Sequence, residues 1–561
     1  MSDSSGTNRR LRVGLQLDSF IQPRWRYKII EDLQASPIVD VALVIKNEAL
    51  ANKTKTSFMK KVWQKRHFLL YECYSTLDRL VFKVEPDAFE NVDAEPLLQQ
   101  CPVISVNPTM KKHSDYFEDK DVETILSHDL DVVLRFGFRI LKGRALKLAK
   151  HGVWSFHHGD NLVNRGMPPG FWEVMDDEPI TGSILQSLTE ELDNGEVIYR
   201  SWSPTTNRFS VRTNNNNNYW KSSAFVMRKL KDLYEKNGET PSESKSEPEY
   251  QPYHRRLYKV PRNPEMFRLL LRLLARFVSR FGSKLWSFDQ WFLAYRFKTS
   301  PNDANNAFYK FKKLIPPKDR FWADPFPIKV GDKYFIFIEE FIYERDKAHI
   351  SVIEIDKQGN ATEPVKVLER DYHLSYPFIL EWNGEYFLMP ETSENGTVEL
   401  YRCVSFPNEW KLEKVLLEGN NPADATLAEI DGKWWMFVNI SSAGVKKNWD
   451  ELHIFSSESP LGPWRAHRRN PVKSDVRCAR PAGHLFRING NLYRPTQDCS
   501  KHYGYGISIN RVNHLTPDEF YEEEVSKILP EWDKRITGTH TLNSYEDLTV
   551  VDCLQRRRRL F

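Results

Sequence analysis

Residues 154–170 read "WSFHHGDNLVNRGMPPG", and Asp193 follows in "LDNG". A histidine titrating near neutrality can move a proton, and a carboxylate can orient it or accept that proton. A hydroxyl such as Ser155 can donate to a developing oxyanion. His157, Asp193 and Ser155 therefore form one candidate acid–base group. A metal reading of "HHGD" is weaker. Neighbouring side chains on a strand point to opposite faces, so His157 and His158 do not readily share an ion. No third ligand stands at helical spacing, and no metal is expected. The bland reading of His158 and Asp160 is a polar turn.

A second set of reactive residues recurs with a period. "VGDKYFIFIEE", "WNGEYFLMPET", "IDGKWWMFVNI" and "INGNLYRPTQD" share one pattern, a hairpin turn followed by an aromatic strand. Tyr334, Tyr386, Trp434 and Leu492 are equivalent, at spacings of 52, 48 and 58. Ahead of each copy lie "WADPFPI", "SYPFILE", "ADATLAE" and "ARPAGHL". These put Asp324, Tyr376, Asp424 and Arg480 at equivalent places. The strand ends supply Glu339, Glu340, Glu391, Asn439, Gln497 and Asp498. Carboxylates, an arginine and aromatics together suit a sugar. Two carboxylates such as Asp324 with Glu391 or Asp424 could act as acid and base on a glycosidic bond. A structural hydrogen bond at a strand edge is the competing reading for each acid.

The elements that position these residues fall into two classes. Up to about residue 235, "LRVGLQL", "VDVALVIKN", "PVISVN", "DLDVVLRFG" and "GVWSFHH" read as strands. "RWRYKIIEDLQAS", "VETILSHD" and "LKGRALKLAK" read as helices between them. This rhythm predicts a mainly parallel, Rossmann-like α/β sheet with ligands at the carboxyl ends of its strands. "VGLQLDS" lacks a glycine loop, which argues against nicotinamide. After the Asn run, "AFVMRKLKDLYEK" predicts the last helix of this domain. "ETPSESKSEPEYQP" reads as a linker. From 315 onward, a period near 50 with several short strands per copy predicts propeller blades. "GTHTLNSYEDLTVVD" fits a degenerate fifth copy. The expected organisation is an α/β domain over 1–235, a linker and helix over 236–314, and an all-β five-bladed propeller over 315–561.

Arg268, Arg272, Arg276, Arg280 and Lys284 recur every fourth residue in a stretch read as a helix over 264–298. A cationic amphipathic helix suits the surface of an anionic membrane, or an interdomain helix with a solvated stripe. The tail "RRRRLF" could add to such a contact. The net charge of +4 gives no global drive toward nucleic acid. Six cysteines without a CxxC pair form no disulfide framework. With no signal-peptide core and no run of ~18 apolar residues, the expected location is the cytoplasm, with peripheral membrane contact.

Four motifs in order resemble the folate-dependent formyltransferases: "GFRIL", "SFH", "NRGMPP" and "TGSIL" with "LDNG". The likeness covers residues 130–200 best. It implies formyl-tetrahydrofolate as cosubstrate and His157 and Asp193 as catalytic residues. Gly137, Arg139, Ile140, Leu141, Leu192 and Asn194 would line the folate site. Ser155 stands where that family has Asn, which removes one oxyanion donor. The "WADPF" repeat resembles five-bladed glycosidase-like propellers and the N-terminal domain of plant glucosamine inositolphosphorylceramide transferase. Together these imply formyl transfer to an amino sugar, with Asp324, Glu340, Tyr376, Glu391, Asp424, Arg480 and Asp498 holding the glycan. The alternatives are a glycoside hydrolase or glycosyltransferase acting through the propeller, and a non-catalytic glycan-assembly protein docked at the membrane.

Overall fold

The computed structural model describes residues 9–49, 63, 65–191, 194–236, 253–298, 307–441 and 449–559. The chain divides into two compact units, one within residues 1–275 and one that begins at Arg276.

The first unit is built on a seven-stranded sheet. Its order is Glu196–Pro204, Ile180–Ser187, Val153–His157, Val132–Arg135, Leu11–Leu17, Val39–Asn47 and Val103–Val106. The last five pair in parallel, and the first two join antiparallel at one edge. Buried apolar runs such as "VGLQL" fit strands covered on both faces. Helix Arg24–Ala35 covers one face through Trp25, Ile29, Ile30 and Leu33, a helical repeat. The strand order reverses between Leu11–Leu17 and Val132–Arg135, so the switch-point crevice opens beside Asp18 and Gly137.

Two local expectations need correction here. "LKGRALKLAK" forms only a short 3₁₀ turn, Gly143–Leu146. The Asn run is itself helical, Val211–Ser222, ahead of the expected helix Phe225–Glu235. Ser210 caps it by accepting from Thr213 N. Inward Asn216 finds two partners: it accepts from Ala88 N at 2.8 Å and donates to Pro86 O at 3.1 Å. Buried amides that find partners replace the apolar face a helix would ordinarily need. The linker "ETPSESKSEPEYQP" lies outside the described residues.

Among the described residues, the second unit holds five antiparallel sheets. Four follow one another along the chain, beginning at Arg320, Ser375, Ala423 and Phe486. Their first hairpins turn at Gly331, Asn383–Gly384, Asp431–Gly432 and Asn489–Gly490, all with positive φ. Asn-Gly and Asp-Gly supply the left-handed pair that a tight hairpin requires. The fifth sheet joins both ends of the unit. Ser287–Phe297 pairs along its whole length with Leu548–Arg558, and Ile536–Gly538, Leu542–Tyr545 and Lys312–Leu314 complete the sheet. The helix expected through residue 298 therefore ends at Trp286, where the chain turns into a strand. Gln290 to Tyr295 are all buried, so "QWFLAY" is driven by a two-faced core, not by a helical stripe. The described part of the tail, Arg556 to Arg559, extends this sheet.

Candidate functional site

In the first unit, Ser155 is buried, and its Oγ accepts from Arg135 Nε at 3.1 Å and Nη2 at 3.0 Å. His157 ends its strand with Nε2 2.9 Å from Asn164 O. Asp193 and Leu192 lie outside the described residues. His158 is half-buried with both ring nitrogens shielded from solvent, stacked 3.5 Å from the Tyr219 ring and edge-on to Trp25 at 5.2 Å. Burial pushes it well below its ordinary range, so it is a neutral member of an aromatic cluster. Asp160 is a structural acid that accepts from Arg200 at 2.8 Å and Trp202 at 2.9 Å.

Several of the chain's own polar groups meet at the switch point. Asp18 Oδ1 accepts from Asn47 Nδ2 and from Phe138 N, both at 2.8 Å. A Cβ at Gly137 would collide with the backbone of Leu17 and Asp18, so glycine is required there. Arg139 is tied to Asp115 through its backbone N (2.8 Å) and its guanidinium (2.6 Å), and Arg139 O accepts from Arg135 at 2.6 Å. Ile140 and Leu141 pair with Ser114 and Asp115. Arg139 N and O are thus both bonded within the chain. Asn194 is exposed and accepts from Arg165 at 3.0 Å.

The second unit gathers its acids. Asp324, Tyr376 and Asp424 each sit at a bulge, two residues ahead of the first regular pair at Phe326, Phe378 and Thr426. All three hold positive φ (49°, 42° and 52°). Such backbone costs about 1–3 kcal/mol at each non-glycine residue and persists only where the surroundings impose it. His540 stands two residues ahead of Leu542 in the fifth sheet, so it is the fifth member of the series. The repeat carried that signal: "THT" aligns with "ADP" and "ADA".

These residues are wired together in the interior. Asp324 accepts from Tyr376 N at 3.3 Å and from Thr541 Oγ1 at 2.5 Å. His540 lies between Asp552 (Nδ1 to Oδ2, 2.5 Å) and Asp324 (Nε2 to Oδ1, 3.6 Å), and stacks on Trp291 at 4.2 Å. Arg480 donates to Asp424 at 2.5 Å and to Glu391 at 3.1 Å, and lies over the Tyr503 ring. Gln497 donates to Asp424 at 2.6 Å. Tyr376 OH meets Thr426 at 2.8 Å and accepts from Gly483 N at 2.7 Å, so its role here is a brace.

The electrostatics follow from burial. Four carboxyls, Asp324, Glu391, Asp424 and Asp552, face two cations, Arg480 and His540. Four ionised acids would leave uncompensated negative charge in a low dielectric. Burial and then the neighbouring Asp424 hold Glu391 well above the carboxylate range, against the pull of Arg480. Burial raises Asp324 to about 7 against the pull of His540. Burial alone would lower His540, but Asp552 and Asp324 outweigh it and hold it at about 9. Glu391 is the more open acid: its side chain is 14% exposed, against 2% for Asp424. Trp449 and Tyr503 pack at 5.4 Å and are half-buried. Asp324, His540 and Asp552 also present ligand atoms within 4.8 Å of one another, the spacing a cation needs. An ion there would have to displace the His540 proton.

Other expected members are bonded to neighbours within the unit. Glu340 accepts from Arg320 (2.9 Å), His349 (3.2 Å) and Ser351 (2.7 Å). Burial would raise it, but these partners win and hold it at about 2. Asp498 accepts from Ser500 N and lies 3.6 Å from Lys527. Glu339 pairs with His373 at 3.1 Å, and Asn439 donates to Glu451 O at 2.8 Å. Sequence reasoning did not single out His540, Asp552, Tyr503 or Trp449.

Residues 314–550 match the family described as "Glucosamine inositolphosphorylceramide transferase 1, N-terminal". The rice (Oryza sativa subsp. japonica) protein named Glucosamine inositolphosphorylceramide transferase 1 is 40% identical over 210 residues. That is 37% of this chain and 28% of the rice protein. The Arabidopsis thaliana protein of the same name is 38% identical over 209 residues, covering 36% and 27%. The chain thus spans little more than a quarter of the length of these relatives. Among solved structures, Zg3597, a family 117 glycoside hydrolase produced by Zobellia galactanivorans, shows 15% identity and a TM-score of 0.32. It covers 47% of this chain and 90% of its own. Phosphoribosylglycinamide formyltransferase from Anaplasma phagocytophilum shows 16% and 0.26, covering 40% and 89%. Likeness at that level bears on no activity. The expectation of formyl transfer to an amino sugar is therefore corrected: the matched relatives are named for a glucosamine transferase, not for a formyl transfer.

Proposed function

We propose that this chain takes part in transferring an amino sugar to a glycolipid headgroup, with the sugar held at the Glu391–Asp424–Arg480 cluster. The observation that carries the reading is the geometry of that cluster: Arg480 bridges a buried carboxylate, Asp424, and a more open acid, Glu391, whose burial favours its protonated form. Glu391 gives its proton to the leaving oxygen as the anomeric C–O bond breaks. The Asp424 carboxylate balances the positive charge that grows on the anomeric carbon. The acceptor hydroxyl forms the new glycosidic bond and returns its proton to Glu391, which acts as acid and then as base. Arg480 braces both acids, and the field of Asp424 favours the proton on Glu391. Trp449 and Tyr503 offer aromatic surface beside the cluster, as sugar sites use. The relatives' name supports the amino sugar and the glycolipid.

We further infer that the five sheets close into a five-bladed ring. The end-to-end pairing of 287–297 with 548–558 and the bond from Asp324 N to Asp552 support it. The functional reading is tested by incubating the full chain with nucleotide-diphosphate-linked glucosamine or N-acetylglucosamine and an inositol-phosphate glycolipid. Label appearing in the lipid supports it. Neither transfer nor saturable sugar binding contradicts it.

A further inference from the structure

Where helix Asn263–Trp286 runs into strand Ser287–Phe297, an open pocket of about 800 Å³ lies in the second unit. Lys534, Arg535, Arg556 and Arg558 line it together with Trp286 and Ser287, and no carboxylate does. The nearest acids are committed to the rim. Asp533 pairs with Lys313 at 2.6 Å and Arg535 at 3.4 Å, and Asp289 pairs with Arg556 at 3.3 Å. Four cations around one concavity are costly to bring together unless an anion is meant to join them.

The helix leading to this pocket presents a bare apolar stripe. Val278, Phe281 and Leu285 fall on one face at helical spacing and are 57–61% exposed, and Trp286 at the helix end is 70% exposed. Phe277 stacks on Phe281 at 6.1 Å. Arg276, Arg280 and Lys284 occupy the opposite side of the same turns. No helix of the described residues is long and apolar enough to cross a membrane. An apolar stripe that ends at a cationic pocket matches the layering of a bilayer surface, acyl chains beneath phosphate groups.

We propose that this pocket and the helix face beside it form a docking site for an anionic bilayer. The lipid phosphate sits among Lys534, Arg535, Arg556 and Arg558, and Phe281, Leu285 and Trp286 enter the interface. The test is co-sedimentation of the full chain with vesicles of phosphatidylcholine alone or with added phosphatidylserine. Binding to the anionic vesicles only, weakened by added salt, is expected. Arg556→Glu with Arg558→Glu, and separately Phe281→Ser with Leu285→Ser, should each weaken it about tenfold or more without changing the melting temperature. These side chains are exposed, so the fold does not depend on them. Equal binding to both vesicles, no binding, or variants that bind like the parent would overturn the proposal. Glycerol phosphate that binds the pocket in a chain indifferent to vesicles would also overturn it, leaving a soluble-phosphate site instead.

Discussion

At the scale of single residues, the second unit stores charge in its interior, and its response to pH has a definite sign. His540 is held at about 9, above its ordinary 6.5. Its ion pairs therefore stabilise the fold in full below pH 6.5 and are lost as pH climbs through 9. Asp324, raised from 3.8 to about 7, acts in the same direction, losing stability between about pH 4 and 7. Thermal melts at pH 6.5 and 9.5 should show a loss in the parent chain that exceeds the loss in His540→Gln by up to roughly 3 kcal/mol. Equal losses would mean that His540 is not charged. Arg480→Met leaves Asp424 and Glu391 without their cation and should cost about 3–5 kcal/mol in urea unfolding. Glu391→Gln should unfold like the parent, because an amide replaces an acid that is already neutral. Asp324, Asp424 and Arg480 were legible as a set because one repeat position carries them. His540 was not, since its copy is degenerate and its chemistry differs from its equivalents.

At the scale of elements, the hairpins were legible because Asn-Gly and Asp-Gly answer a backbone demand that few residues meet. The helix over 264–298 was legible only to Trp286, since a run of aromatics reads alike in a helix and in a doubly buried strand. The helical Asn run was illegible for another reason: its partners, Pro86 O and Ala88 N, are remote in sequence. Helix Asn263–Trp286 holds Gly282, where an added Cβ would meet nothing within 4 Å. Glycine in a helix interior costs about 0.5–1 kcal/mol relative to alanine. Gly282→Ala should therefore stabilise the helix by about that amount, read as slower hydrogen exchange across its last three turns. Unchanged exchange would mean that this end of the helix does not limit local opening.

At the scale of the whole molecule, the two units were legible by the change of rhythm from α/β to aromatic hairpins. The fifth sheet was legible only in its last copy, "GTHTLNSYEDLTVVD", and not in Ser287–Phe297, because its longest strands come from opposite ends of the unit. Ending the chain after Asp547 strips Ser287–Phe297 of its long partner and leaves Phe292 bare. Amides across the second unit should then lose protection together, while the seven-stranded sheet of the first unit keeps its own. In the first unit, "GFRIL" and "SFH" stand where a ligand site was expected. The contacts that Arg135, Asp115 and Asp18 make there are tertiary, and no local pattern announces them. On the proposed reading the second unit carries the chemistry, with Glu391 as its acid. The most direct measurement is the rate of sugar transfer against pH for the parent chain and Glu391→Gln. The parent should keep its rate through neutrality and lose it as Glu391 ionises, well above the ordinary carboxylate range. The variant should be slower by about 10²-fold or more, with no such fall. A variant as fast as the parent, or with the same pH dependence, would contradict the assignment.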